Sequence, residues 1–247
     1  MNIQDALSST AVINQKAVGH FVDIYAKKDN WHQIDKASGN LGYGWIHYSL
    51  IRILRPDRVL CIGSRYGYIP AICALACRDN KKGHVDFVDA NYNQYKPEQK
   101  NHWGGVGYWT TPEGKQSFER FRLNKHISVH IMTSGKYKTS VPQKTWGYIH
   151  IDGDHSYQGF KKDLLGLAGK VKESGLLSGD DLDLSAPEIN LAYAKAHKEA
   201  DYLEDPLTKK WYHPGITLAV HEVLGDVTMQ NSLWAVVRKN GKWHKLG

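Results

Sequence analysis

Four short apolar runs in this chain each end on a glycine or an acid, and this restricts the fold more than any other feature. Residues 58–62 run into Gly63, 84–88 into Asp89, 146–151 into Asp152, and 175–178 into Gly179-Asp180-Asp181. Short runs that are apolar almost throughout read as strands buried on both faces. Helix-period segments at 69–76, 113–121 and 157–171 alternate with them, and Pro70 is tolerated because it falls in a first helical turn. Strands alternating with helices predict an α/β fold, doubly wound, with a mostly parallel sheet covered on both faces. Ligands in such sheets bind outside the carboxyl ends of the strands. The polar strand ends are therefore the places to look for chemistry.

The rest of the chain fits around this unit. Helical patterns at 11–26 and 44–54 predict an N-terminal helical extension over residues 1–55. The main domain then spans 56–247, with insertions at 90–112 and 182–213. A further strand is expected at 127–132, a helical piece at 188–200, a helix at 216–224, and a closing strand pair at 227–229 and 233–238. A length of 247 residues, 41% hydrophobic, suits one α/β domain with a real core. No apolar stretch approaches the 18 or so residues of a membrane span. Residues 1–5 lack the basic start and apolar run of a secretory leader, so a cytoplasmic location is expected. Three cysteines, Cys61, Cys73 and Cys77, do not make a disulfide framework and read as buried small hydrophobes. The net charge of +7 is spread over lysine pairs rather than one basic arm, so a nucleic-acid partner is not expected. Whether the chain forms a homo-oligomer is left open.

The chemistry begins at Gly63-Ser64-Arg65-Tyr66-Gly67-Tyr68. A glycine ending a strand lets the backbone turn sharply and approach a ligand. Gly67 opens a helix whose first amides can face a carboxylate. Asp89 ends the next strand 26 residues later, where an acid can accept both hydroxyls of a ribose. That pair alone does not distinguish one ribose-bearing cofactor from another. Asp152-Gly153-Asp154-His155-Ser156-Tyr157 and Asp180-Asp181 place carboxylates past two further strands. Gathered together they would repel and raise one another's pKa. A divalent cation such as Mg²⁺ resolves that conflict, which makes Asp152, Asp180 and Asp181 candidate metal ligands. Turn capping or lysine pairing by Asp180 or Asp181 is the alternative. His155, three residues beyond Asp152, has the pKa range of a general base, or else serves only to start a helix. The aromatic and glycine-rich residues 91–111, with Tyr92, Tyr95, Trp103, Tyr108 and Trp109, read either as a lid over the site or as a surface insertion.

These three motifs together resemble the class I methyltransferases of the methyltransferase-24 group, which includes macrocin-type sugar O-methyltransferases. The likeness runs from about Val59 to Arg238, and the Asp152–Tyr157 string is its specific part. The resemblance implies a Rossmann-like sheet of seven strands with an antiparallel last strand. It implies S-adenosylmethionine bound by Gly63, Ser64, Arg65, Gly67, Asp89 and Asp152, with Asp152, Asp180 and Asp181 as metal ligands. His155 would be the catalytic base, working with Asp152, and a sugar, glycoside or other small-molecule hydroxyl would be the acceptor. One departure is Cys61, where an acid commonly precedes the glycine turn. A metal-independent methyltransferase, a non-catalytic binding protein and an NAD- or nucleotide-sugar enzyme are the competing readings of the same fold.

Overall fold

The computed structural model describes Gly19, residues 23–25, His32, Ile34, Asp35, Ala37, Ser38, 40–91 and 107–246. The expected helix at 11–26 lies outside the described residues except for Gly19 and 23–25, which are helical. Tyr92, Tyr95 and Trp103 also lie outside them.

Strands β1 (Arg58–Ile62), β2 (His84–Asp89), β3 (Ile127–Ile131), β4 (Trp146–Ile151) and β5 (Val171–Gly179) form a parallel sheet in the order β3-β2-β1-β4-β5. β9 (Leu233–Lys239) adds antiparallel to β5, so the parallel part is closed on one side by a reversed strand. The outer edge of β9 is divided between β8 (Thr228–Gln230) and β10 (Lys242–His244). Among the described residues the main path therefore has seven strands and β8 makes an eighth. A two-stranded piece, β6 (Leu203–Glu204) with β7 (Trp211–Tyr212), stands apart.

Helices cover both faces. On one, α1 (Gly44–Leu54) and α2 (Tyr68–Asp79) bury Tyr48, Ile51, Ile69 and Ile72 against Val59, Cys61, Phe87 and Tyr148. On the other, α4 (Ser134–Ser140), α5 (Tyr157–Ala168) and α7 (Pro214–Leu224) bury Tyr137, Phe160, Leu164 and Ile216 against Leu60, Ile149, Ile151 and Val236. Alternate residues of β1 and β4 thus feed opposite cores, each fully buried aliphatic contributing about 1.5–3 kcal/mol. All three cysteines are buried thiols. Among the described residues no helix is long and apolar enough to cross a membrane.

Several boundaries differ from the sequence expectation for local reasons. The helix expected at 113–121 is the short α3 (Pro112–Gln116) followed by a 3₁₀ turn at Glu119–Phe121. Arg122, at φ 58°, stops it, with Leu123 N–H bonded to Phe118 O and Arg122 N–H to Glu119 O. That is a Schellman closure made without glycine. The helix expected at 188–200 is only α6 (Leu191–Ala196), started by the Asn190 side chain accepting from Tyr193 N–H at 3.0 Å. α4 was not foreseen; Thr133 caps it, its hydroxyl accepting from Lys136 N–H.

Trp109 answers part of the lid question. It is 2% exposed, stacks on Phe118 with ring centres 5.4 Å apart, and meets Phe87 edge-on at 4.7 Å. Its backbone N–H donates to Asn91 Oδ1 at 2.8 Å. Trp109 is therefore core rather than lid. Trp109→Ala should lower unfolding stability by about 3–5 kcal/mol in a urea titration. A loss within about 0.5 kcal/mol, as for an exposed insertion residue, would contradict this placement.

Candidate active site

The sheet register lines up the strand ends. Ile62 pairs with Val88 on one side and Ile151 on the other, and Ile151 pairs with Gly179. The next residue along each strand is Asp89, Gly63, Asp152 or Asp180. These four therefore stand side by side at one rim of the sheet, with adjacent strands about 4.8 Å apart.

The glycine turn is held by what lies behind it. Gly63, at φ +72°, donates its N–H to Val88 O at 2.9 Å. A Cβ there would sit 1.7 Å from the carbonyl oxygen of Asp152. Only glycine lets β1 turn this close to the end of β4. Gly67, at φ +80°, precedes α2 and closes the turn by donating its N–H to Ser64 O. A Cβ on Gly67 would strike Trp109 at 2.5 Å, so this glycine packs on the core.

A cleft of about 590 Å³ opens in front of the turn. Gly63, Ser64, Arg65, Asp89, Gly153 and His155 are among its walls. The structure thus brings most of the expected cofactor residues to one cavity, with Gly67 behind it. Ser64 Oγ and Arg65 Nε are buried there without a hydrogen-bond partner among the described residues. Asp89 is 7% exposed; burial raises its carboxyl pKa, while Asn91 N–H, donating at 2.6 Å, opposes the rise.

Asp152, Asp180 and Asp181 lie beside the cleft rather than in its wall. Asp152 and Asp181 converge with His155, their donor atoms within 4.8 Å of one another. Asp180 faces elsewhere: its Oδ1 accepts from Ser232 Oγ at 2.5 Å and from Asp181 N–H at 2.9 Å, and its Oδ2 lies 3.7 Å from His32 Nε2. Burial, and then the charges of Asp181 and Asp180, push Asp152 up to about 8. Burial would also raise Asp181, but the adjoining His155 outweighs it and draws Asp181 down.

His155 is 7% exposed and clamped between two acids. Its Nε2 lies 3.1 Å from Asp181 Oδ2 and its Nδ1 2.8 Å from Asp201 Oδ1. Burial alone would lower its pKa, yet the two carboxylates carry it well above the usual imidazole range. His155 is therefore a cation in this state. Asp154, the second acid of the motif, makes a turn just ahead of α5, its Oδ1 accepting from Ser156 N–H at 2.9 Å, and Ser156 caps the helix, its Oγ accepting from Gly159 N–H at 3.2 Å. A Cβ on Gly159 would displace that carboxylate.

Sequence reasoning missed Asp201, Asp183 and His32, and took His213 only as part of a second candidate wall, with Trp211 and Tyr212, in the 182–213 insertion. Asp201 reaches His155 from the segment between α6 and β6. His213 stacks edge-on against His155 with ring centres 4.7 Å apart, and its Nδ1 lies 2.9 Å from Asp183 Oδ2. His32 arrives from before α1. None of them sits in a motif. The one available hint was the clustering of Trp211, Tyr212 and His213 in a polar segment.

Residues 60–182 match the family model described as a methyltransferase domain, methyltransferase-24. No curated protein sequence matches the chain. Among solved structures, the chain is similar to the O-methyltransferase from Bacillus cereus in complex with S-adenosylhomocysteine, at TM-score 0.54 and 14% identity, over 96% of this chain and 97% of that one. It is similar also to the S-adenosylhomocysteine-bound methyltransferase PaMTH1 of Podospora anserina, at TM-score 0.55 and 15% identity, over 96% and 95%. Identities this low speak to the fold. The family match contains all four strand ends, from Gly63 to Asp180, and together with this fold it makes the chain a class I S-adenosylmethionine-dependent methyltransferase.

Proposed function

We propose that this chain is an O-methyltransferase that alkylates a hydroxyl of a small molecule or saccharide with help from a divalent cation. The observation that carries the reading is the cleft running from the Gly63–Arg65 turn and Asp89 to His155, in which a cofactor would lie beside an imidazole.

S-adenosylmethionine, when bound, supplies an activated methyl on sulfur. The fit to it rests on buried, unpartnered Ser64 Oγ and Arg65 Nε and on the desolvated Asp89 carboxylate, all facing one cavity. In this reading the Ser64 and Arg65 side chains receive the amino-acid end, while Gly63 and Gly67, whose N–H groups bond to Val88 O and Ser64 O, shape the turn around it. Asp89 accepts from the ribose hydroxyls, and Asp152 borders the same pocket. Such residues contribute mainly alignment, holding donor and acceptor in line.

The carboxylates also fit a divalent cation. Burial first, and then the charges of Asp181 and Asp180, push Asp152 up to about 8, and a cation would offset that cost of ionising it. Asp152, Asp180 and Asp181 would hold it, with Asp180 turning from Ser232. A cation held by these residues would supply Lewis-acid chemistry toward the acceptor hydroxyl. His155 takes the hydroxyl proton in this scheme. To do so, its Nε2 must part from Asp181, whose carboxylate otherwise keeps the ring protonated.

Calorimetry with S-adenosylhomocysteine, followed by turnover of labelled cofactor over a panel of hydroxyl acceptors, tests the reading. Asp89→Ala should weaken S-adenosylhomocysteine by about 1.5–3 kcal/mol, the worth of hydrogen bonds to a charged group. Unchanged affinity would remove Asp89 from the cofactor site. Asp152→Asn keeps the side-chain shape but removes a charge, so Mg²⁺ affinity and turnover should both fall; full turnover in excess chelator would reject the cation. His155→Ala should leave cofactor binding intact and slow turnover by about 10²–10⁴-fold. Wild-type rates in that variant would reject the base.

A further inference from the structure

The segment that follows the family match builds a second cluster of donors on the outer side of His155. We propose that His155, Asp201 and His213 form a site for a zinc-class transition-metal ion, distinct from the oxygen-rich strand-end acids.

The donor set comes first. One ligand atom from each of these three residues lies within 4.8 Å of the other two. Both histidines are buried and Asp201 is partly so. Zinc bonds of 2.0–2.1 Å in a tetrahedron put ligand atoms about 3.3 Å apart, so closure needs rotamer adjustments of about an ångström. Two imidazoles and one carboxylate, with a fourth position left for water, suit zinc and its neighbours, whereas Mg²⁺ prefers oxygen.

The support around the imidazoles is the stronger argument. A metal-bound histidine usually donates its other ring N–H to a carboxylate, which fixes the tautomer and strengthens the ligand nitrogen. Both histidines here have that partner. His155 offers Nδ1 toward Asp201 at 2.8 Å while Nε2 lies 3.1 Å from Asp181. His213 has Nδ1 on Asp183 at 2.9 Å, which directs Nε2 as the ligand nitrogen. The two rings pack edge to face at 4.7 Å, and Tyr202 lies over His213 with centres 4.7 Å apart. An accidental surface cluster would not hold each imidazole by an acid on its far side.

His155 belongs to both groups, through Nε2 to Asp181 and through Nδ1 to Asp201. On the proposed reading of His155 as the base, a transition-metal ion at the outer site occupies the imidazole and blocks proton transfer. The metal site itself does not depend on that reading.

The experiment uses the full chain, stripped of metal and held in excess Mg²⁺ so that the strand-end acids are occupied. Zn²⁺ is titrated calorimetrically, and Co²⁺ is followed by its visible absorption. One equivalent of Zn²⁺ should bind, with the intense bands of four-coordinate Co²⁺. His213→Ala and Asp201→Asn should each weaken Zn²⁺ at least tenfold. Asp183→Asn, which removes only the supporting acid, should weaken it about 10–100-fold. Asp152→Asn should leave Zn²⁺ within a few-fold of wild type while impairing Mg²⁺, separating this site from the proposed catalytic one. Asp201 is partly exposed, so its variant tests the site even if His213→Ala does not fold. Absence of stoichiometric binding, or Zn²⁺ affinity that survives Asp201→Asn but falls in Asp152→Asn, would overturn the proposal.

Discussion

The contact between Gly63 and the backbone of Asp152 sets the geometry of everything at this rim. Asp152 N–H bonds to Ile62 O at 2.8 Å, and the missing Cβ of Gly63 lets the Asp152 carbonyl sit where a side chain would be. The glycine turn and the acid-bearing loop are therefore one unit, joined across two parallel strands. Any substitution that separates them moves Ser64 and Arg65 relative to His155. Parallel pairing makes this possible, because it brings all carboxyl ends to the same edge.

Beneath the rim the sheet carries polar groups that are made safe by pairing or by neutrality. His47 Nδ1 meets Tyr148 OH at 2.7 Å, Tyr148 OH accepts from Ser178 Oγ at 2.9 Å, and Ser178 Oγ lies 3.1 Å from His150 Nδ1. Burial holds His47 down to about 3 and His150 well below the ordinary range, so both rings are uncharged. The contrast with His155 is instructive. The same residue type is neutral when enclosed by hydroxyls and rings, and cationic when two carboxylates reach it.

Much of the architecture was legible in the sequence, and physics explains which parts. β1 and β4 begin and end where the apolar runs and their glycine and aspartate terminators put them, because buried strands carry no competing signal. The rim residues were legible for the same reason: strand ends are fixed by register. What escaped depends on contacts distant in sequence. Trp109 looks like a lid residue until Phe87 and Phe118 are seen enclosing it. The ties of Asp180 to Ser232 and His32, from which it would have to turn to join Asp152 and Asp181, leave no trace in the local sequence. Asp201, Asp183 and His213 lie outside the matched domain and follow no spacing rule, so only folding brings them to His155.

The divided outer edge of β9 bears on how the chain meets copies of itself. A long bare strand edge is a template for further strands. Here that edge is split between β8 and β10, three residues each, too short to present a continuous row of unpaired amides. The opposite border, β3, is five residues long and shows Val129 and Ile131 to solvent. Among the described residues the sheet is thus guarded on one flank and open on the other. Runaway strand addition during stress or overproduction would begin at β3, where a single lysine in place of Val129 would discourage it.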